Sequence, residues 1–274
     1  MTQNNPEVGQ SISTAGGRVN YHDQGTGAPV LLIHGSGPGV SAWANWRMTI
    51  EALSVQNRVI APDIVGFGYT ERPDHFDYNM TSWVDHTMGF LDSLGIEKTS
   101  VVGNSFGGAL ALAMAIRHPN RMNKLVLMGS VGVPFTLTDG LDKVWGYTPS
   151  IENMRQLLDI FAHDRNLVSD ELAKLRYEAS IQPGFQESYA SMFPAPRQQW
   201  VEAMTSPEKD IMAIPHDSLI IHGREDKVIP PQNAHQLFSL IKNARLHMFG
   251  NCGHWTQIEH AREFNQLVAH FLNN

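Results

Sequence analysis

Val101-Val102-Gly103-Asn104-Ser105-Phe106-Gly107-Gly108 is the stretch whose reading decides the fold. The Thr99–Val102 run is short and rich in β-branched residues, which predicts a buried strand. Residues 109–116, Ala-Leu-Ala-Leu-Ala-Met-Ala-Ile, are strong helix formers and predict a helix. Gly103-x-Ser105-x-Gly107 lies between them, the strand–turn–helix pattern of a nucleophile elbow. A serine forced into a strained turn needs neighbours without a Cβ, and Gly103 and Gly107 meet that need. A helix that begins at Ser105 also turns free backbone N–H groups toward the hydroxyl.

Outward from this turn, strands and helices alternate. Val30–Ile33 reads as a buried strand that runs into His34-Gly35-Ser36-Gly37-Pro38-Gly39, a loop able to approach another group closely. In elbow enzymes an N–H from such a loop joins the N–H of the residue after the nucleophile to hold an oxyanion. The matching positions are Ser36 and Phe106, with His34 as a loop-orienting residue. Upstream, residues 1–9 read as a loose tail. Gln10–Ser13 and Val19–Gln24 read as strands joined by a turn at Gly16-Gly17. Trp43–Leu53 reads as a helix with Asn45 just inside its start, and Arg58–Ala61 as a strand. Asp63 reads as the brace of the following turn. Ser82–Leu94 reads as a helix capped by Ser82, and Lys124–Met128 as a strand.

The alternation stops after Gly129. Residues 132–206 hold no convincing buried strand, only helical pieces near 150–163, 169–180 and 185–191 broken by prolines. This predicts a helical cap at 132–206 inserted into a core formed by 1–131 and 207–274. Alternation returns with a strand at Ser218–Ile221, a helix at Asn233–Leu240, a strand at Arg245–Phe249 and a helix at His260–Leu272. The pattern predicts a mostly parallel sheet covered on both faces.

A serine hydroxyl needs a base, and the base needs an acidic partner that fixes its tautomer. In elbow enzymes these follow in the order Ser, Asp or Glu, His, on loops after late strands. Asp226 follows the strand at Ser218–Ile221, with Glu225 as competitor, and His254 follows the strand at Arg245–Phe249. Ser105, Asp226 and His254 are therefore the expected triad.

Composition narrows the rest. The chain has 274 residues, 42% hydrophobic and 17% charged, enough apolar material for a large core. A net charge of −7 without a basic stretch speaks against nucleic acid as a partner. The thirteen histidines show no spacing that suggests a metal site. Cys252 is the only cysteine, and the polar start lacks the apolar core of a signal peptide, so the cytoplasm is the expected location. No apolar run is long enough to span a bilayer.

With these residues placed, the chain resembles an α/β-hydrolase, and closely the meta-cleavage product hydrolases, the carbon–carbon bond hydrolases of aromatic catabolism. The resemblance is carried by HGSGPGVSAWANW at 34–46, GNSFGG at 103–108, LRYEAS at 175–180, HGREDKVIP at 222–230 and CGHWTQIEH at 252–260. Within that family it is most similar to the monoalkyl-type members, including those of toluene and cumene pathways. The resemblance implies an eight-stranded sheet with an inserted cap, and hydrolysis of the C5–C6 bond of 2-hydroxy-6-oxo-hexa-2,4-dienoates. It also implies no cofactor and a homo-oligomer. Ser105, Asp226 and His254 match the triad, and Ser36 and Phe106 the oxyanion hole. Gly35, Asn45, Asn104, Arg176 and Trp255 match positions that hold the substrate's dienoate end, with Arg197 the second cap candidate. Val131, Trp145, Val201, Val228 and Ile229 are expected to line the C6 side, which suggests hydrogen or small alkyl there rather than phenyl. A carboxylesterase on the same scaffold is the alternative, and a non-catalytic ligand receptor is a further one.

Overall fold

The computed structural model describes residues 5–274. Eight strands form one sheet: β1 (Gln10–Thr14), β2 (Gly17–Gln24), β3 (Ala28–Ile33), β4 (Asn57–Pro62), β5 (Thr99–Asn104), β6 (Met122–Met128), β7 (Ser218–Gly223) and β8 (Ala244–Phe249). Their order is β1-β2-β4-β3-β5-β6-β7-β8. The first two strands are antiparallel additions, and from β4 to β8 every pairing is parallel. β5 lies centrally, with Ile33 of β3 opposite Gly103 and Leu127 of β6 on its other side.

The two-residue period of the strands sorts apolar side chains onto two faces. Val30 and Leu32 pack with Trp46 and Ile50 of α1 (Ala42–Leu53) and with Phe264 and Val268 of α12 (Ala261–Asn273). Leu31 and Ile33 belong to the opposite core, with Trp83 of α2 (Met80–Ser93), Leu110 of α3 (Phe106–Arg117) and Leu237 of α10 (Gln232–Leu240). Each such fully buried side chain contributes about 1.5–3 kcal/mol. Phe106–Ala115 of α3 are all buried, which explains why its sequence is apolar all round rather than striped.

Six helices separate β6 from β7: α4 (Asp139–Trp145), α5 (Ile151–Phe161), α6 (Asp170–Ser180), α7 (Phe185–Met192), α8 (Gln198–Ala203) and α9 (Glu208–Met212). The three longest fall where the sequence places helical pieces. α4 and α8 have only seven and six residues, too short for a periodic signal. α11 (Thr256–Glu259) is a single turn after the last strand.

Two local expectations are corrected. The N-cap of α2 is Asn79, whose side chain accepts from the Ser82 N–H at 3.0 Å. Ser82 is thus a donor inside the first turn rather than the cap. The segment before β1 is not loose throughout. Residues 1–4 lie outside the described residues, but Glu7 is buried and hydrogen-bonded to Ser41 and Arg176.

Candidate active site

The elbow is built by close backbone approach. Ser105 has φ +56° and ψ −115°, a left-handed conformation that crowds a Cβ. It is held there by its N–H, which donates to Met128 O at 2.8 Å, and by its carbonyl, which accepts from Gly108 at 2.9 Å and Val131 at 3.2 Å. A Cβ on Gly107 would strike the carbonyls of Ile33 and His34, and one on Gly103 would strike that of Gly107. The glycines therefore let the ends of β3 and β5 and the start of α3 meet.

The His34–Gly39 loop packs against this turn. A Cβ built on Gly35 would lie 3.3 Å from that of Ser105. His34 is fully buried, with Nδ1 2.8 Å from Gly35 O and Nε2 3.0 Å from the Ile64 N–H. A carbonyl only accepts and an N–H only donates, so Nδ1 carries the proton and Nε2 accepts. Burial lowers the His34 pKa to about 4 and keeps the ring neutral. Asp63 braces the neighbouring turn by accepting from the Ala42 N–H at 2.6 Å and the Tyr69 N–H at 2.7 Å. Cap residues hold the loop from above: Trp145 Nε1 donates to Ser36 Oγ at 3.0 Å, and the Tyr189 hydroxyl to Ser36 O at 3.2 Å. Among the described residues the backbone N–H groups of Ser36 and Phe106 have no backbone acceptor.

His254 Nδ1 lies 2.7 Å from Asp226 Oδ2. Asp226 Oδ1 accepts from the backbone N–H groups of Val228 at 2.7 Å and Ile229 at 3.0 Å, so the carboxylate is fixed in its loop. Glu225 faces elsewhere, accepting from the Cys252 N–H at 2.9 Å and from Arg224. A second imidazole, His222, brings Nε2 to 3.1 Å from Asp226 Oδ2 and 3.0 Å from Ile229 O. Burial raises the Asp226 pKa, but the charges and hydrogen bonds of His254 and His222 outweigh it and hold the carboxyl well below the usual range. His254 also stacks on Phe161 of the cap at 6.0 Å, and its N–H donates to Phe161 O at 2.8 Å. Ser105 and His254 line one cavity, with no hydrogen bond joining their side chains. Catalytic hydrogen bonds often tighten only once substrate is bound. Cys252 is no rival nucleophile, because burial, then the nearby Glu259 charge, pushes its thiol up to about 12.

The cavity is about 280 Å³, and its lining combines apolar and polar groups. Leu141, Val144, Met154, Leu158, Phe161 and Val228 make an apolar wall. Gly35, Asn45, Asn104, Arg176 and Trp255 also line it, as do Arg47 and Gln257. Asn104 Nδ2 donates to Asn45 Oδ1 at 2.9 Å, and the Gly35 N–H donates to the same oxygen at 3.3 Å. This leaves Asn45 Nδ2, Asn104 Oδ1 and Gln257 Oε1 buried without a partner among the described residues. Buried amides so placed suit a polar ligand group.

Other sequence expectations fall outside the lining. Val131, Trp145, Val201 and Ile229 are all buried, but none lines the cavity. Trp145 stacks on Phe193 with its N–H turned to Ser36, and helices α4 and α5 supply the apolar wall instead. Arg197 is tied to Asp142 at 3.0 Å and to Phe193 O at 3.1 Å, away from the cavity. Arg47 and Gln257 line the cavity beyond the residues that the sequence singles out. Gln257 lies two residues after Trp255 in a quoted motif, a signal that could have found it; nothing in the spacing marks Arg47.

Comparison with known proteins places this arrangement. The α/β-hydrolase fold family model matches residues 28–261. The chain is 62% identical over 270 residues to a 2-hydroxymuconate semialdehyde hydrolase of Pseudomonas sp. strain CF600, covering 98% of this chain and 95% of that protein. It is 58% identical to a 2-hydroxy-6-oxo-2,4-heptadienoate hydrolase of Pseudomonas putida, covering 99% of each. The solved structure of the meta-cleavage product hydrolase CumD of Pseudomonas fluorescens IP01 superposes with a TM-score of 0.97 at 62% identity, covering 98% of this chain and 99% of that one. A nucleophile elbow, an imidazole–carboxylate pair and a roof of inserted helices thus meet close likeness along nearly the full length, and the chain belongs to the α/β-hydrolase fold family and, within it, to the meta-cleavage product hydrolases.

Proposed function

We propose that the chain hydrolyses the C5–C6 bond of 2-hydroxy-6-oxo-hexa-2,4-dienoates, either 2-hydroxymuconate semialdehyde or a 6-alkyl analogue, giving 2-hydroxypenta-2,4-dienoate and a small carboxylic acid. The observation that carries this reading is the makeup of one cavity: Ser105 and the Asp226-bound His254 share it with a guanidinium and three buried amides. A simple ester needs the first half of that constellation only.

The chemistry follows from the groups. Arg176 binds the C1 carboxylate and the 2-oxygen, helped by Asn45 and Asn104. His254 moves the enol proton to C5 so that C2 becomes a ketone, and then takes the Ser105 proton. Ser105 attacks C6, and the oxyanion rests on the Ser36 and Phe106 N–H groups. When the C5–C6 bond breaks, its electron pair moves through the C3=C4 bond to the 2-oxygen, and the proton that His254 took from Ser105 passes to the departing dienolate, which frees the imidazole for the next step. Water, deprotonated by His254, then releases the acid from Ser105. The substrate's own conjugation is the electron sink, so the scheme uses no cofactor. Gly35 admits the close approach, and Trp255 covers the dienoate. On this reading 132–206 is the cap and 1–131 with 207–274 the core, of which residues 1–4 lie outside the described residues. The single cysteine supports a cytoplasmic enzyme, and the family likeness supports a homo-oligomer.

The apolar wall carries the bulky side chains of Leu141, Met154, Leu158 and Phe161, and on this reading it favours hydrogen or small alkyl at C6. The test is the decay of the yellow dienolate absorbance with a panel of C6-substituted compounds. The semialdehyde and 6-methyl compounds should turn over faster than the 6-phenyl compound, and Ser105→Ala should abolish all three. Faster turnover of a simple ester than of any dienoate would instead make the chain a carboxylesterase.

A further inference from the structure

Arg176 does not sit in the cavity wall unaided. Its Nη1 donates to Glu7 Oε1 at 2.8 Å and its Nη2 to Gly39 O at 2.5 Å. The ion pair is largely shielded, with side-chain exposures of 13% for Arg176 and 12% for Glu7. From these contacts we infer that Glu7 is a positioning residue for Arg176, holding the guanidinium from behind in the attitude that receives the substrate carboxylate. The inference rests on the role proposed above for Arg176.

Glu7 is itself anchored. Its Oε2 accepts from Ser41 Oγ at 2.9 Å, the residue that caps α1. Its backbone carbonyl accepts from Asn20 Nδ2 at 3.1 Å, and its N–H donates to Asn5 Oδ1 at 3.0 Å. Asn20 lies in β2, so the Glu7 backbone is tied to the sheet while its carboxylate is tied to a helix start. A counter-ion fixed in this way cannot follow the guanidinium, so the guanidinium must come to it. Arg176 otherwise carries a long side chain on α6 with many rotamers, and ordering it on substrate binding would cost entropy.

The geometry also shows that Glu7 does not compete with substrate. Arg176 lines the cavity and Glu7 does not. Both Glu7 oxygens are engaged, Oε1 by Arg176 and Oε2 by Ser41, and the two contacts of Arg176 leave three of its five N–H donors for a ligand. The contact with Gly39 extends the chain of support to the loop that carries Ser36. A Cβ on Gly39 would lie 2.6 Å from Ser180 N, so that loop packs on the last turn of α6. Glu7, Arg176 and Gly39 therefore register cap against core at the carboxylate end of the cavity.

The test compares an anionic with a neutral substrate. Glu7→Gln, Arg176→Gln and the double variant are assayed with 2-hydroxymuconate semialdehyde and with 4-nitrophenyl acetate, which has no carboxylate. Glu7→Gln should lower kcat/KM for the dienoate about tenfold, the scale of a misplaced binding group, and leave ester hydrolysis nearly unchanged. It should add nothing on the Arg176→Gln background. Equal losses on both substrates, or an additive loss in the double variant, would overturn the positioning role and leave Glu7 a structural clasp. If Glu7→Gln does not accumulate, Glu7→Asp, which withdraws the charge by one methylene, must show the same selective loss. A unaltered dienoate rate in Arg176→Gln would defeat the role of Arg176 itself, and failure of the native enzyme to turn over any dienoate would defeat the reaction; both are read separately from the Glu7 arm.

Discussion

Ser105 is one of two non-glycine residues with positive φ among the described residues, the other being Asn251. Such a conformation costs about 1–3 kcal/mol and persists because the surrounding backbone bonds impose it. Ser105→Ala keeps the Cβ and should leave stability unchanged while removing turnover. Ser105→Gly should be equally inactive yet more stable by about 1 kcal/mol, since relief of strain exceeds the entropy of the added glycine. Urea denaturation of the two variants checks this, and equal stability would mean the turn is unstrained. His34 makes a second prediction at the same scale. Its pKa falls from 6.5 to about 4 in the folded chain because burial disfavours the imidazolium. Between those values the unfolded chain binds a proton that the folded chain does not, so stability present above pH 6.5 is lost as pH falls toward 4. The gap is worth roughly 3 kcal/mol. Stability measured from pH 7 to 4 should fall less steeply in His34→Gln than in the native chain. At this scale Ser105, Asp226 and His254 could be read from chain order and the strands before them. Asp226 rather than Glu225 became a geometric fact only when His254 Nδ1 was found 2.7 Å from it.

Elements read well where their signals are local. α1, β3, β5 and α3 fall within a residue or two of their sequence limits because apolar period and glycine turns act over neighbouring residues. The start of α2 differed because both Asn79 and Ser82 are capping residue types, and only the turn geometry chooses between them. Asn79→Ala should therefore destabilise the chain by about 1 kcal/mol, while Ser82→Ala stays within about 0.5 kcal/mol. Thermal melts of both variants check this, and the reverse order would restore Ser82 as the cap. Short helices such as α4 were illegible for a different reason. A seven-residue helix has too few positions to show a face, and it is stabilised by what it packs on.

The whole molecule joins two parts across the cavity. Trp145 of the cap donates to Ser36 Oγ, so the cap braces the loop that would hold the oxyanion. Trp145→Phe retains the stack on Phe193 but removes this donor. It should lower kcat about tenfold with little change in KM, because a small shift of an oxyanion donor acts mainly on the transition state. Steady-state kinetics on the dienoate decides it, and an unchanged kcat would detach the cap from the oxyanion loop. The sequence by itself determined the parallel sheet, the elbow and the order of its chemical groups, since strand period, glycine turns and chain order are expressed over a few neighbouring residues. Only the tertiary structure decided which cap side chains face the cavity and that Glu7 lies behind Arg176. Those contacts join segments as much as 169 residues apart, where loop closure and side-chain packing, not local pattern, select the partner.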